Sequence, residues 1–321
     1  MSGPLVTLAR PGAWAFRRAA VLAFGAAVLA AAAPAPRVLL LDAALAGPAL
    51  LTVGEHGAIL RSTDAGANWA IVPSGTRATL TGVAFAPDGR HGWAVGHDAL
   101  ILATADGGAS WQPQWQGPSL EASLLDVCAL SARQVIAVGA YGLYLASGDG
   151  GRTWQERKIL EEDMHLNRIT RGPTGTLYLA GERGTLLRSR DAGATWTRID
   201  SPYDGSFYGI LPLGERRLLA YGLRGRVFRS ADDGETWMAA PVDRPMLLAT
   251  AVQTKAGAIV LAGQSRACYG SRDGSAPLVA LAGVGTDAIA ELLETPDGRL
   301  WAFGEGGAQP LTLTWPPEAK P

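Results

Sequence analysis

The sequence predicts an all-β protein, a seven-bladed propeller, and three observations carry that prediction. A short apolar stretch closed by glycine recurs at intervals of 41 to 43 residues, at Gly54, Gly96, Gly139, Gly181, Gly222, Gly263 and Gly304. Ten residues after each of the first five stands an aspartate in an S/T-x-D-x-G-x-[NST]-W box. Glycine supplies 41 of the 321 residues, which fits a chain that needs a tight turn about every ten residues, and helical periodicity is poor. A repeat of about 42 residues made of short strands is one blade of a radial array. Seven such blades account for residues 37–315 as a single closed domain, with 1–36 as a separate leader and 316–321 as a tail.

The third repeat shows how a blade forms. Leu124 to Leu130, Gln134 to Val138, Leu143 to Ser147 and Trp154 to Ile159 are four strand-like runs separated by turn signals. The first strand is expected to line the central channel, where side chains must be short. The aligned residues are Asp42, Gly82, Asp126, Asn167, Gly209, Ala249 and Ala290.

The boxes pair Asp64 with Trp69, Asp106 with Trp111, Asp149 with Trp154, Asp191 with Trp196 and Asp232 with Trp237. The aspartate accepts hydrogen bonds within its own turn, and the tryptophan opens the fourth strand and covers a seam. One turn made five times in the same way reads as a structural staple, not a ligand site. A sixth copy, Ser271-Arg272-Asp273-Gly274, lacks its tryptophan. The seventh repeat lacks the box altogether, so its blade is expected to have three strands, Ala288 to Leu293, Leu300 to Phe303 and Pro310 to Thr314, and to close by packing on the first.

At the N-terminus Arg17-Arg18 precede the uncharged run Ala19 to Ala33 and a small-residue stretch ending at Pro36. That is the pattern of an export signal, cleaved or retained as a membrane anchor over residues 14–33. The expected location is the periplasm or the periplasmic face of the inner membrane. Net charge is −1, and −4 without the three arginines of residues 1–36, which argues against a nucleic-acid partner. Cys128 and Cys268 fall blades apart and are expected as free buried thiols. The four histidines, His56, His91, His97 and His165, lack metal-ligand spacing, and only His56, His97 and Asp98 fall on adjoining turns, so no metal or cofactor is expected.

The runs GWAVGHDALILATADGGASW (Gly92 to Trp111) and VIAVGAYGLYLASGDGGRTW (Val135 to Trp154) resemble the Asp-box propellers of the photosystem II stability and assembly factor family. The resemblance spans about residues 37 to 315 and implies a non-catalytic exported scaffold that holds a segment of a membrane-associated protein. The box is also similar to that of sialidases. An enzyme of that kind would draw on Tyr141, Tyr203, Tyr208 and Glu182, but the F-R-x-P signature is absent. A secreted glycosidase or glycan-binding protein is therefore the alternative.

Binding residues are expected in the turns after the second strands, which vary while the boxes do not. These read EHG, HDA, AYG, ERG, LRG, QSR and EGG, and place Arg183, Arg224 and Arg266 on three consecutive blades, with Arg244 on the link between the fifth and sixth. The acidic link Glu161-Glu162-Asp163 adjoins them, and Trp115, Tyr141 and Tyr203 are candidate aromatic anchors on the same side. Such a face suits an acidic or C-terminal peptide segment, because the guanidinium fork matches a carboxylate.

Overall fold

A computed structural model of the chain describes residues 37–117, 122–275, 277–282 and 287–317, and the expected leader over 1–36 lies outside them. Six four-stranded sheets and one three-stranded sheet follow one another in chain order, each an antiparallel meander. The first strands run Leu40–Ala46, Leu80–Phe85, Leu124–Ala129, Leu166–Arg171, Phe207–Pro212, Leu248–Gln253 and Ile289–Glu294. In each blade the second strand is wholly buried and ends on the repeat glycine. That glycine is required by a close approach. A Cβ on Gly54 would lie 2.0 Å from the carbonyl oxygen of Leu39, and one on Gly139 2.1 Å from that of Ser123.

The core is not one cluster but seven, one at each seam between neighbouring blades. Alternation along each strand explains this, since one face of a sheet packs on the blade before and the other on the blade after. Each of the five box tryptophans packs at the seam with the preceding blade. Trp111 sits in the seam of blades one and two, edge-on to Phe85 of its own blade at 6.0 Å, and Trp196 meets Tyr144 of blade three at 6.1 Å.

Each box is a closed hydrogen-bond ring. Asp149 accepts from Ser147 Oγ at 2.8 Å, from the Thr153 amide at 3.0 Å and from Thr153 Oγ1 at 2.7 Å. The Gly151 amide donates to Ser147 Oγ at 2.8 Å. The same bonds recur at Asp64, Asp106, Asp191 and Asp232. The hydroxyl at the seventh box position is the main cause that holds Asp106, Asp149, Asp191 and Asp232 down to about 2. A carboxyl whose folded value lies below its unfolded value of 3.8 adds stability above about pH 4, and that stability is lost as pH falls through 2. Acid unfolding followed by tryptophan fluorescence is therefore expected between pH 4 and 2, and D149N is expected to move the midpoint upward. A midpoint unmoved in D149N would show that the ring does not contribute.

Blade seven has the expected three strands, but the third is Gly307–Leu311, three residues before the expected Pro310 start. The cause is a two-residue hairpin at Glu305-Gly306, with Gly304 paired to Gly307, in place of the five-residue turn of the other blades. Past this strand Thr314 and Ala282 exchange two backbone hydrogen bonds of 2.9 and 3.1 Å. Trp315 then fills the seam of blades six and seven, where a box tryptophan would sit. Pro316-Pro317 follow where Ala70-Ile71 form the fourth strand of blade one, and proline cannot donate to a ladder. The seam of blades seven and one is closed by Trp69, edge-on to Trp301 at 5.8 Å and Phe303 at 6.0 Å.

The channel lining departs from the expected list in three blades. Every first strand carries a bulge after its first residue, and the pairing puts Asp42, Gly82, Asp126, Arg168, Gly209, Thr250 and Glu291 at one position. Arg168, Thr250 and Glu291 thus replace the expected Asn167, Ala249 and Ala290. The inward residue lies 13 positions before the repeat glycine in blades three to seven but 12 in blade one and 14 in blade two, and a count that is off by one flips the side-chain parity.

Candidate partner-binding face

The turns after the second strands pack against the links that enter the next blade, so one face of the ring is built from both. A Cβ on Gly184 would lie 2.4 Å from Tyr203 O, and one on Gly225 2.5 Å from Arg244 O. The middle residue of these turns is held in the left-handed region, with φ of 56° at His56 and Tyr141, 48° at Arg183, 57° at Arg224 and 52° at Ser265. In blade six Arg266 also has a positive φ of 65°, as Ala99 does at 48° in blade two, where the turns of blades one, three, four and five have glycine.

Arg183, Arg224, Arg244 and Arg266 are all exposed, and none is in a salt bridge among the described residues. Arg244 Nη2 donates to the backbone oxygen of Arg266 at 3.5 Å, which ties the fifth link to the sixth turn. Arg226 was missed by reading turn tips alone. Its guanidinium lies 5.8 Å from the Tyr203 ring centroid, and with Arg224, Asp243 and Pro245 it lines a pocket of about 260 Å³. Its signal was the basic residue directly after the turn glycine.

The three aromatic candidates part company. Tyr141 is 68% exposed and meets the His165 ring edge-on at 4.8 Å. Tyr203 is half-buried, stacked on Phe228 at 6.2 Å and edge-on to Phe207 at 5.9 Å. Trp115 is half-buried in the fourth strand of blade two, against the seam of blades two and three. Glu182 is bound by the His165 amide at 3.2 Å and lies 3.5 Å from His165 Nδ1, which leaves Arg224 uncompensated. In the acidic link, Glu161 pairs with Lys158 at 3.5 Å and Glu162 with Arg198 at 3.6 Å.

In the channel, Arg168 Nη2 donates to Glu291 Oε2 at 2.6 Å, a contact between blades four and seven that only the ring axis allows. Glu291 also accepts from Thr250 Oγ1 at 2.9 Å. The carboxylates of Asp42 and Asp126 cap the backbone amides of Val83 and Ile169 in the next blades, at 2.7 and 2.8 Å. Burial is the main cause that pushes Asp126 up to about 6 and Asp42 well above the usual range.

Cys128 and Cys268 are free and buried, and burial pushes both thiols up to about 12. No group of three or more His, Cys, Asp or Glu side chains that could hold a metal occurs among the described residues. His56 is 4.0 Å from Glu55, and the backbone of His97 bridges to Ser123. Tyr208, weighed for the glycosidase reading, packs against the core between blades five and six.

A model of the family described as photosynthesis system II assembly factor YCF48 matches residues 61–121 and 113–314. The chain belongs to that family. It is 47% identical over 45 residues to the photosystem II assembly lipoprotein Ycf48 of Trichormus variabilis, a match of 14% of this chain and 13% of that protein. It is 43% identical over 56 residues to the chloroplastic photosystem II stability/assembly factor HCF136 of Cyanidioschyzon merolae, or 17% and 13% of the two lengths. The chain thus spans only about an eighth of the length of the curated relatives it matches. Among solved structures, YCF48 bound to D1 peptide superposes with a TM-score of 0.72 at 21% identity, over 88% of this chain and 96% of that one. YCF48 from Cyanidioschyzon merolae gives 0.68 at 18%, over 86% and 95%. These likenesses show the propeller fold, and the relatives are named as assembly factors.

Proposed function

We propose that the chain is a non-catalytic assembly factor that holds a segment of a membrane-associated protein across Arg183, Arg224, Arg244 and Arg266, with Tyr141 as the flanking aromatic anchor. The observation that carries this reading is the run of exposed arginines on blades four to six, free of internal carboxylate partners. A carboxylate-bearing peptide supplies what they lack, and bidentate arginine pairing fixes its orientation. Support comes also from the family's solved member with a bound D1 peptide and from the relatives' names. Half-buried Tyr203 supports Arg226 from below, and Trp115 serves its seam.

The chain is exported in this reading, through the basic and apolar pattern of residues 1–36, and acts at the periplasmic face of the membrane. No helix among the described residues is long and apolar enough to cross a membrane.

The test is a cross-linked pull-down from membranes of the source organism with wild type and the triple variant R183E/R224E/R266E. Capture of a specific membrane protein by wild type, lost in a triple variant with an unchanged circular dichroism spectrum and melting temperature, is the expected result. Equal capture by both would move the site off the arginines. Turnover of sialosides or aryl glycosides above the buffer rate would overturn the non-catalytic reading.

A further inference from the structure

The seams offer a second site, on the box side of the ring. In most blades a side chain crosses onto the box turn of the next. The penultimate residue of the third strand is Arg61 in blade one, Arg188 in blade four and Arg229 in blade five. Arg61 Nε donates to Gly107 O at 3.0 Å, Arg188 Nη1 to Asp233 O at 2.7 Å and Arg229 Nη1 to Ser275 O at 2.6 Å. Blade two has Ala103 there, but a bulge in its fourth strand brings Gln114 to the same place, and Nε2 donates to Gly150 O at 2.9 Å. Blade six has Gly270, covered by Trp315, and Trp301 of blade seven lies against Gly66 of the first box.

Among the described residues, blade three alone leaves this place open. Its register position is Ala146, and its fourth strand is a regular two-residue piece without a bulge. Tyr144 Oη donates to Gly193 O at 3.0 Å. Ala192 O, which corresponds to Gly107 O, Gly150 O and Asp233 O, accepts no hydrogen bond among the described residues. The result is a pocket of about 340 Å³ lined by Ala146, Gln134, Gln155, Arg157, Asp191 and Ala192.

We propose that this pocket takes the guanidinium group of an arginine side chain from a partner polypeptide, which makes across the third seam the contact that Arg61, Arg188 and Arg229 make across their own. The acceptors suit it. Ala192 O is open, the amide oxygen of Gln134 offers its lone pairs, and that of Gln155, which accepts one bond from Arg157 Nη2 at 3.2 Å, keeps a second lone pair for a planar group with five donors. Asp191 and Arg157 put one charge of each sign on the rim, so a monocation meets no net repulsion. A lysine ammonium is a compact, strongly hydrated point charge and matches the seam less well. The site is on the opposite side from the Arg183 face, and its failure would leave the assembly-factor reading untouched.

The experiment is calorimetric titration of the purified protein with acetyl-Gly-Arg-Gly-amide and its lysine and citrulline analogues. Saturable binding of the arginine peptide is expected, weakened about tenfold or more by either replacement. A146R, which supplies its own guanidinium, is expected to abolish binding and to raise the melting temperature, while A146S keeps the affinity. Should A146R fail to fold, A146M fills the same space and is expected to block the peptide. Absence of saturable binding, or binding by a folded A146R or A146M equal to wild type, would overturn the proposal.

Discussion

Arg168→Met is expected to lower the free energy of unfolding at pH 7 by about 3–5 kcal/mol, the usual cost of removing one partner of a buried ion pair. The guanidinium lies among three carboxyl groups, Asp42, Asp126 and Glu291, in the ring axis, and it is the cation nearest them. Methionine keeps most of the volume and none of the charge, so the loss reports electrostatics more than packing. The sign of the pH dependence follows from the direction of the shifts. Burial raises Asp126 to about 6 in the fold against 3.8 unfolded, so its ionisation costs stability at neutral pH and the penalty is relieved as pH falls from about 6 toward 4. The deficit of R168M, read from urea midpoints, is therefore expected to be largest at pH 7 and to shrink at pH 5. Equal deficits at the two pH values would assign Arg168 to packing alone. Wild type is expected to be most stable between the window where Asp126 is relieved and the lower one where the boxes lose their carboxylates.

Trp69→Ala is expected to cost about 3–5 kcal/mol and to open the ring at one defined place. Six seams join blades that the chain connects directly, whereas the seam of blades seven and one joins the two ends of the propeller by side chains alone. Trp69 touches both Trp301 and Phe303 across it, and blade seven contributes only three strands. Removing the indole takes away both ring contacts that blade one makes across that closure. Differential calorimetry and limited proteolysis read the effect, with new cleavage expected in residues 287–317 before the rest of the ring. Trp237→Ala, at a seam with a covalent link, is expected to destabilise without exposing blade seven. If W69A protected residues 287–317 as well as wild type, closure would have to be carried by the other side chains of the seam.

Much of the fold was legible because blades repeat. The glycines that end the second strands recur because a Cβ there would collide with the backbone of the first strand, and the boxes recur because each closes its own ring of hydrogen bonds. The start of the third strand of blade seven was not legible, since a two-residue hairpin and a five-residue turn leave the same apolar pattern around Gly304. The arginine face was readable as a list of turn residues. Arg226 became visible only beside the Tyr203 ring, and Trp115 and Tyr203 proved to be seam residues only once neighbouring blades were in place.

By itself, the sequence determined the number of blades, their order, the box turns and the set of arginines carried by the variable turns, because each of these is set by spacing within one repeat. The tertiary structure decided what lies on the axis and between blades. The pairing register of each first strand decides which side chain faces inward, and it assembles Asp42, Asp126, Arg168 and Glu291 from four blades into one buried charge cluster. The third seam is open for the same kind of reason: Ala146 is an ordinary strand residue until its neighbours are seen to place arginine or glutamine at that point. Contacts between residues more than 40 positions apart depend on register and on ring closure, and a repeat pattern read along one chain contains neither.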